Sequence, residues 1–155
     1  MEFHYNVTIK SSKNMIEFKM DKDNSKNDAI TGVKFGFNSD DATKERDRNG
    51  RVEIVISGKF NGDRDTLSAI RQLSEWAKSN DDVYREVTIV METSDEEDGE
   101  NFSRTYHFDK MFCIDYFERT GCACESSDKD AGLEFELFMA QAPTYKISET
   151  EAILV

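Results

Sequence analysis

The chain has 155 residues, of which 37% are hydrophobic and 34% are charged. Its 32 acidic and 20 basic residues give a net charge of −12, which repels phosphate and argues against nucleic acid and anionic membranes as partners. No segment approaches the roughly 20 consecutive apolar residues of a transmembrane helix, so we expect no direct membrane insertion. The length predicts a single domain over residues 1–155.

Most of the chain alternates apolar and polar residues with the period of two that is typical of β-strands. The first segment, FHYNVTI, alternates and follows an early acid, which predicts a strand and not a signal peptide. Valine, isoleucine, phenylalanine, tyrosine and threonine dominate the alternating segments, as they do in strands. The pattern predicts eight strands, at 3–9, 15–20, 30–37, 51–60, 85–93, 102–108, 111–119 and 133–141.

One segment, DTLSAIRQLSEWAKS at 65–79, has helical periodicity. Asp65 stands where an N-cap is expected, and Lys78 lies in the last turn, where the helix dipole favours a cation. The sequence therefore predicts a mainly β fold, a barrel-like pair of packed antiparallel sheets with one amphipathic helix on its side. The predicted buried face of that helix consists of Leu67, Ile70, Leu73 and Trp76.

The polar segment DKDNSKND at 21–28 resembles a calcium loop, because oxygen-bearing side chains occupy alternate positions. An EF-hand loop needs glycine at its sixth position and a bidentate glutamate at its twelfth. Lys26 and Gly32 stand at those positions, and no helical pattern flanks the segment. The sequence therefore favours a solvated loop over a calcium site.

The three cysteines, an odd number, fit a reducing compartment better than a disulfide framework. Cys122 and Cys124 are weak metal candidates, since two thiolates one residue apart can share an ion. A structural zinc site has four ligands, and the chain has only two histidines and no second cysteine pair. We therefore expect no metal and no cofactor, in a protein that is made in the cytoplasm without a signal peptide.

The segment RTYHFDKMFCIDYFERTG, at 104–121, gathers residue types that often surround a reactive centre. Its polar and aromatic residues alternate, however, as in strands with one wet face, and we interpret it as two strands. On this reading His107 is a surface strand residue and not a general base. The residues expected to share one face are Tyr106, Phe108, Phe112, Ile114 and Tyr116. Because the sequence contains no G-x-S-x-G, no H-E-x-x-H, no phosphate-binding glycine loop and no dinucleotide fingerprint, we predict no enzyme.

The order of these elements resembles the haemolysin-coregulated protein (Hcp) family, which forms the tube of type VI secretion systems and shares a fold with contractile phage tail tubes. The resemblance covers about residues 51–141, where DTLSAIRQLSEWAKS is followed by YREVTIVMET, an acidic turn, RTYHFDKMFCIDYFER and GLEFELFMAQ. It implies a structural inner-tube subunit of a contractile injection system, with self-association into rings, hexameric in the family, and tubes. The implied partners are sheath, baseplate or effector proteins. The histidine-proline element of many type VI members is absent, which leaves type VI-like and phage tail-like systems open.

The segment NSDDATKERDRNG at 38–50 is long for a hairpin connection, which usually has about 2–5 residues. Its charges are of both signs, so it can satisfy a partner of either sign. In Hcp-like proteins the corresponding extended loop reaches the adjacent ring. The resemblance therefore implies ring-on-ring stacking through Asp40, Asp41, Lys44, Glu45, Arg46, Asp47 and Arg48.

Two other classes of protein would show the same strands. A monomeric β-barrel adaptor or ligand-binding domain would not self-associate. A hydrolase whose catalytic acids are scattered along the chain would need an active-site cleft, which no feature of the sequence predicts. The oligomeric state of the purified protein separates a tube subunit from the monomeric adaptor.

Overall fold

The computed structural model describes residues 2–38, 51–94, 101–121 and 132–141. Within these ranges the chain forms seven β-strands and one α-helix. The strands are β1 (Glu2–Lys10), β2 (Met15–Phe18), β3 (Ile30–Asn38), β4 (Arg51–Lys59), β5 (Arg85–Ser94), β6 (Ser103–Thr120) and β7 (Leu133–Gln141), and the helix is α1 (Arg64–Lys78). None of the helical segments in these ranges has the length and apolar character needed to cross a membrane.

All seven strands belong to one antiparallel sheet in the order β2-β1-β5-β6-β7-β4-β3. Hairpins join β1 to β2, β3 to β4, β5 to β6 and β6 to β7, whereas the pairings of β1 with β5 and of β4 with β7 are non-local. The prediction of a mainly β, antiparallel fold with one helix is confirmed.

The sheet curves over itself, so that strands near its two ends face strands in its middle. Phe18 of β2 stacks on Phe135 of β7 with ring centroids 5.4 Å apart, and Phe35 of β3 stacks on Phe108 of β6 at 5.7 Å. The two halves of the sheet thereby enclose one apolar core. Its largest fully buried side chains are Ile9, Ile16, Ile54, Ile56, Ile70, Leu73, Ile89, Phe108, Met111, Phe135, Leu137 and Met139.

A glycine in β4 permits this close approach. A Cβ atom at Gly58 would overlap the ring of Phe135 and lie 2.7 Å from the carbonyl oxygen of Ala29. That carbonyl accepts a hydrogen bond from the backbone N–H of Lys59 at 2.7 Å, so it cannot easily withdraw. Any side chain at position 58 therefore has to push apart the start of β3 and the aromatic core.

The segment predicted as two strands is one continuous strand, β6, of 18 residues. Its first half pairs with β5 and its second half with β7. Between the halves, Lys110 adopts a positive φ of 54°, and the register with β5 shifts between Arg85 and Val87. This bulge bends the strand and restarts the alternation, so Phe108 and Met111, three residues apart, are both buried in the core.

A second register shift in β6 makes the predicted common face of this segment wrong. The shift lies between Cys113 and Asp115, and it leaves Ile114 between them, 41% exposed. Beyond it, Tyr116 packs against the core cluster, whereas Phe112 pairs with Ala140 on the face away from the core. A strict period of two cannot pass through two bulges, because each one moves the following side chains to the other face.

The helix α1 differs from its prediction at the N-cap and on one residue of its buried face. Asp63 is the N-cap, and its side chain accepts a hydrogen bond from the backbone N–H of Asp65 at 3.1 Å. The predicted cap, Asp65, instead lies in the first turn. The helical residues that are buried are Thr66, Ala69, Ile70, Leu73 and Trp76.

Leu67 is 46% exposed, so its assignment to the buried face is wrong. At about 100° per residue, a run with a strict spacing of three drifts by about 60° at each step. Leu67 is therefore about 120° around the helix from Leu73, and it is Leu73 that lies at the centre of the buried face. The residues Thr66 and Ala69 take the place that the sequence pattern assigned to it.

Candidate functional site

Two of the predicted sites lie outside the described residues. They are the charged residues expected to stack rings, Asp40, Asp41, Lys44, Glu45, Arg46, Asp47 and Arg48, and the cysteine pair Cys122 and Cys124. The first set belongs to the segment that connects the end of β3 to the start of β4. The stacking role and the weak metal role both stay predictions.

The sheet ends in two open edges, β2 and β3, on which the described residues place no further strand. The β2 edge is only four residues long, whereas the β3 edge has nine. Lys34 is the only charged residue of β3, which also contains two glycines and two phenylalanines. An edge of this length and apolarity is a ready template for pairing with another chain.

A cluster of aromatic rings lies where β3 faces β6. Phe35 stacks on Tyr106 with centroids 5.4 Å apart, and the guanidinium carbon of Arg104 lies 4.5 Å from the centre of the Tyr106 ring. Phe35 is 41% exposed and Phe37 is 51% exposed. Burial, and then the neighbouring Tyr106, raises the pKa of Tyr5. This end of the core is thus apolar and only half covered.

A second group of aromatic residues, here named the outer aromatic strip, lies on the face of β6 and β7 away from the core. It consists of Tyr84, Phe112, Phe117 and Phe138. The four rings form two edge-to-face pairs, Tyr84 with Phe112 at 6.2 Å and Phe117 with Phe138 at 5.8 Å. Tyr84 is 56% and Phe117 57% exposed. Exposed aromatic side chains of this kind are typical of a protein–protein contact.

The segment 21–28, which resembles a calcium loop in sequence, is held by its own polar groups. The carboxylate of Asp21 accepts hydrogen bonds from the backbone N–H groups of Asp23 and Asn24 and from the side-chain amide of Asn27, at 3.0–3.2 Å. These hydrogen bonds lower the pKa of Asp21, and the one from Asn27 has the largest effect. Asp28 at the end of the loop is buried against the imidazole of His4, at 2.5 Å. The carboxylates are therefore turned to local contacts and do not converge on one ion.

The described residues with strongly shifted pKa values are ill suited to catalysis. Burial, and then the charge of Asp115, raises the pKa of Cys113 to about 11, which keeps its thiol protonated and weakly nucleophilic. Burial, and then a hydrogen bond to Glu118 at 2.7 Å, raises the pKa of Tyr116 as well. The Tyr116 hydroxyl also lies 3.4 Å from the carbonyl oxygen of Ile70 in α1, a contact that supports the helix.

The structure brings together one cluster that the sequence pattern did not reveal. His107 lies as predicted on a strand and is part-exposed, but its Nε2 atom contacts Glu86 of β5 as well as Asp109 of its own strand. The alternation His107-x-Asp109 was visible in the sequence. The participation of Glu86 depends on the pairing of β5 with β6 and could be found only once that register was known.

The order of elements that resembles the Hcp family has a counterpart among solved structures. No protein-family model and no curated protein matches the chain. The chain is similar to a solved structure described as a crystal structure of Hcp protein, with a TM-score of 0.59 and 10% sequence identity. The match covers 89% of this chain and 86% of that chain. At this identity the similarity establishes the architecture, and the chain has an Hcp-like fold.

Proposed function

We propose that the protein is a structural subunit of the inner tube of a contractile injection system, type VI-like or phage tail-like. The observation that carries the proposal is the Hcp-like fold over 89% of the chain. The open nine-residue edge of β3 and the outer aromatic strip add support, because both are surfaces that a self-associating protein covers. On this proposal the protein has no catalytic role.

Rings would form through a contact that repeats by rotation, in which one surface of a subunit meets a different surface of the next. The β3 edge and the outer aromatic strip are the proposed lateral surfaces. Rings would then stack through the charged segment 38–50, with sheath, baseplate or effector proteins as further partners. The subunit would be made in the cytoplasm and would leave the cell only as part of the machine.

The experiment is size-exclusion chromatography with light scattering, followed by negative-stain electron microscopy of the purified protein. Six subunits of this size around a channel should give rings about 80–90 Å across. Phe117→Lys should convert the rings to monomers, because it places a charge in this contact. It should change the melting temperature of the monomer only slightly, since the ring of Phe117 is 57% exposed and the lysine would lie opposite Glu136 of β7. A wild-type protein that stays monomeric at high concentration would contradict self-assembly and favour the adaptor class.

Stacking is tested separately by reversing charges at Arg46 and Arg48. Exposed ion pairs are weak and screened by salt, so tubes held by this segment should dissociate into rings as the salt concentration rises. The double variant Arg46→Glu/Arg48→Glu should form single rings with unchanged thermal stability and no tubes. Normal tubes from this variant would assign stacking to another surface.

A further inference from the structure

The outer face of the β5–β6 hairpin carries a histidine and two carboxylates whose polar atoms converge. The Nε2 atom of His107 lies 2.9 Å from a carboxylate oxygen of Glu86 and 3.3 Å from one of Asp109. One ligand atom from each of the three residues lies within 4.8 Å of the others. The three side chains are 31%, 50% and 46% exposed for His107, Glu86 and Asp109, so the cluster is open to ions from solution.

The geometry points to a divalent metal site, with Zn²⁺ as the ion of choice, ligated by Glu86, His107 and Asp109. Zinc bonds to histidine nitrogen and carboxylate oxygen are about 2.0–2.2 Å long, which at the tetrahedral angle places neighbouring ligand atoms about 3.3–3.6 Å apart. The separation of Nε2 from Asp109, 3.3 Å, already matches this spacing, and the Glu86 carboxylate, at 2.9 Å, has to move away by only about 0.4 Å. An imidazole ligand also favours zinc over calcium and magnesium, which take oxygen ligands.

The contacts around the cluster orient its ligands as a metal site requires. The other ring nitrogen of His107, Nδ1, lies 2.9 Å from the hydroxyl oxygen of Thr88, the residue paired with it on β5. With the ion on Nε2, Nδ1–H donates to this hydroxyl, the outer contact that fixes the tautomer and ring orientation of metal-bound histidines. The bulge at Lys110 directly follows Asp109 and lies opposite the register shift that contains Glu86. Bulges re-aim side chains, and this one lies between the two carboxylate ligands.

Charge favours the ion as well. Glu86 and Asp109 supply two carboxylates, whose combined charge equals that of a divalent cation in magnitude. A divalent cation compensates both, on a chain whose net charge is −12. Three protein ligands leave at least one coordination position open to solvent, as in zinc sites that bind a water or a ligand from another molecule.

The test is calorimetric titration of Zn²⁺ into the full-length chain carrying Cys122→Ser and Cys124→Ser, which removes the two neighbouring thiols that could share an ion. We expect one zinc per chain. His107→Gln should weaken binding at least about 100-fold, and Glu86→Gln or Asp109→Asn at least about tenfold. Thr88→Val, which keeps the shape of the side chain and removes the hydroxyl, should weaken binding about tenfold. Glu136→Gln is the matched control, an exposed carboxylate on β7 whose loss should change nothing.

Because the chain contains only two histidines, the NMR signals of their imidazole rings provide a second test, which needs no variant. In ¹H–¹⁵N spectra of the imidazole rings, Zn²⁺ should shift the nitrogens of His107 and leave those of His4, which is buried against Asp28, unchanged. Unshifted His107 signals at saturating Zn²⁺ would overturn the proposal. Zinc affinity that is the same for His107→Gln as for Glu136→Gln would overturn it too. Neither outcome bears on ring assembly.

Discussion

Replacing Leu73 with alanine is expected to lower the free energy of unfolding by about 2–5 kcal/mol. The side chain is fully buried at the centre of the buried face of α1. Leucine to alanine removes three carbons, which at about 0.8 kcal/mol each accounts for about 2.4 kcal/mol of transfer free energy. The cavity left between the helix and the sheet adds to this loss, because the surrounding strands can collapse only in part.

The same helix supplies the matched control. Leu67→Ala makes an identical chemical change at a position that is 46% exposed. About half of the transfer term is absent there and no closed cavity forms, so the expected loss is about 1 kcal/mol or less. Both substitutions also exchange leucine for the best helix former, so their effects on helix propensity cancel in the comparison.

The assay is urea denaturation followed by the fluorescence of Trp76, the only tryptophan of the chain, which is buried on the same helix face. The two variants should differ in the free energy of unfolding by at least about 2 kcal/mol, with equal m-values. In a protein of this size, about 2 kcal/mol corresponds to a difference of roughly 4–8 °C in melting temperature. Equal losses for Leu73→Ala and Leu67→Ala would refute the placement of the helix on the sheet.

Two further variants test the core and its polar surroundings. Gly58→Ala should cost about 1–3 kcal/mol in the same assay, because its methyl group meets the ring of Phe135, whereas Gly36→Ala, with open space around it, should cost nothing. The pKa of Asp82 is lowered, and the largest cause is a hydrogen bond that the Ser11 hydroxyl donates to this carboxylate. The ionised carboxylate therefore stabilises the fold at neutral pH, and this contribution is lost as the pH falls below about 4. Ser11→Ala should therefore be less stable than wild type at pH 7, with a smaller difference at pH 3; a constant difference would contradict the linkage.

Much of the fold could be predicted from the sequence because most strands keep a strict alternation over their full length. β1, β3, β4 and β7 lie within one or two residues of their predicted bounds. The alternation failed in β6, where two bulges restart it and where the residue at the first bulge, Lys110, is an ordinary polar residue with no glycine to mark the turn. The position of a bulge depends on the pairing with the neighbouring strands, so it cannot be predicted from the sequence pattern of one strand alone.

The helix and the metal cluster show the same limit at the level of single residues. A spacing of three predicted that Leu67 is buried, but the helix presents Thr66 and Ala69 to the sheet in its place. The charges near His107 were equally visible, and only the pairing of β5 with β6 decides that Glu86 contacts it together with Asp109. Which polar residues meet depends on register, which one strand alone does not encode.

The two bulges of β6 also connect the fold to the proposed assembly. A strand of 18 residues that crossed the sheet without a bulge would place Phe112, Ile114 and Tyr116 on one face, and the core would hold all three. The first bulge turns Phe112 outward, where it meets Tyr84, and the second leaves Ile114 exposed while returning Tyr116 to the core. The outward positions of Phe112 and Ile114 are thus a consequence of irregular pairing, whereas Phe117 would face outward in a strand without bulges as well. Removing the extra residue at the second bulge should therefore change the outer surface and the core together.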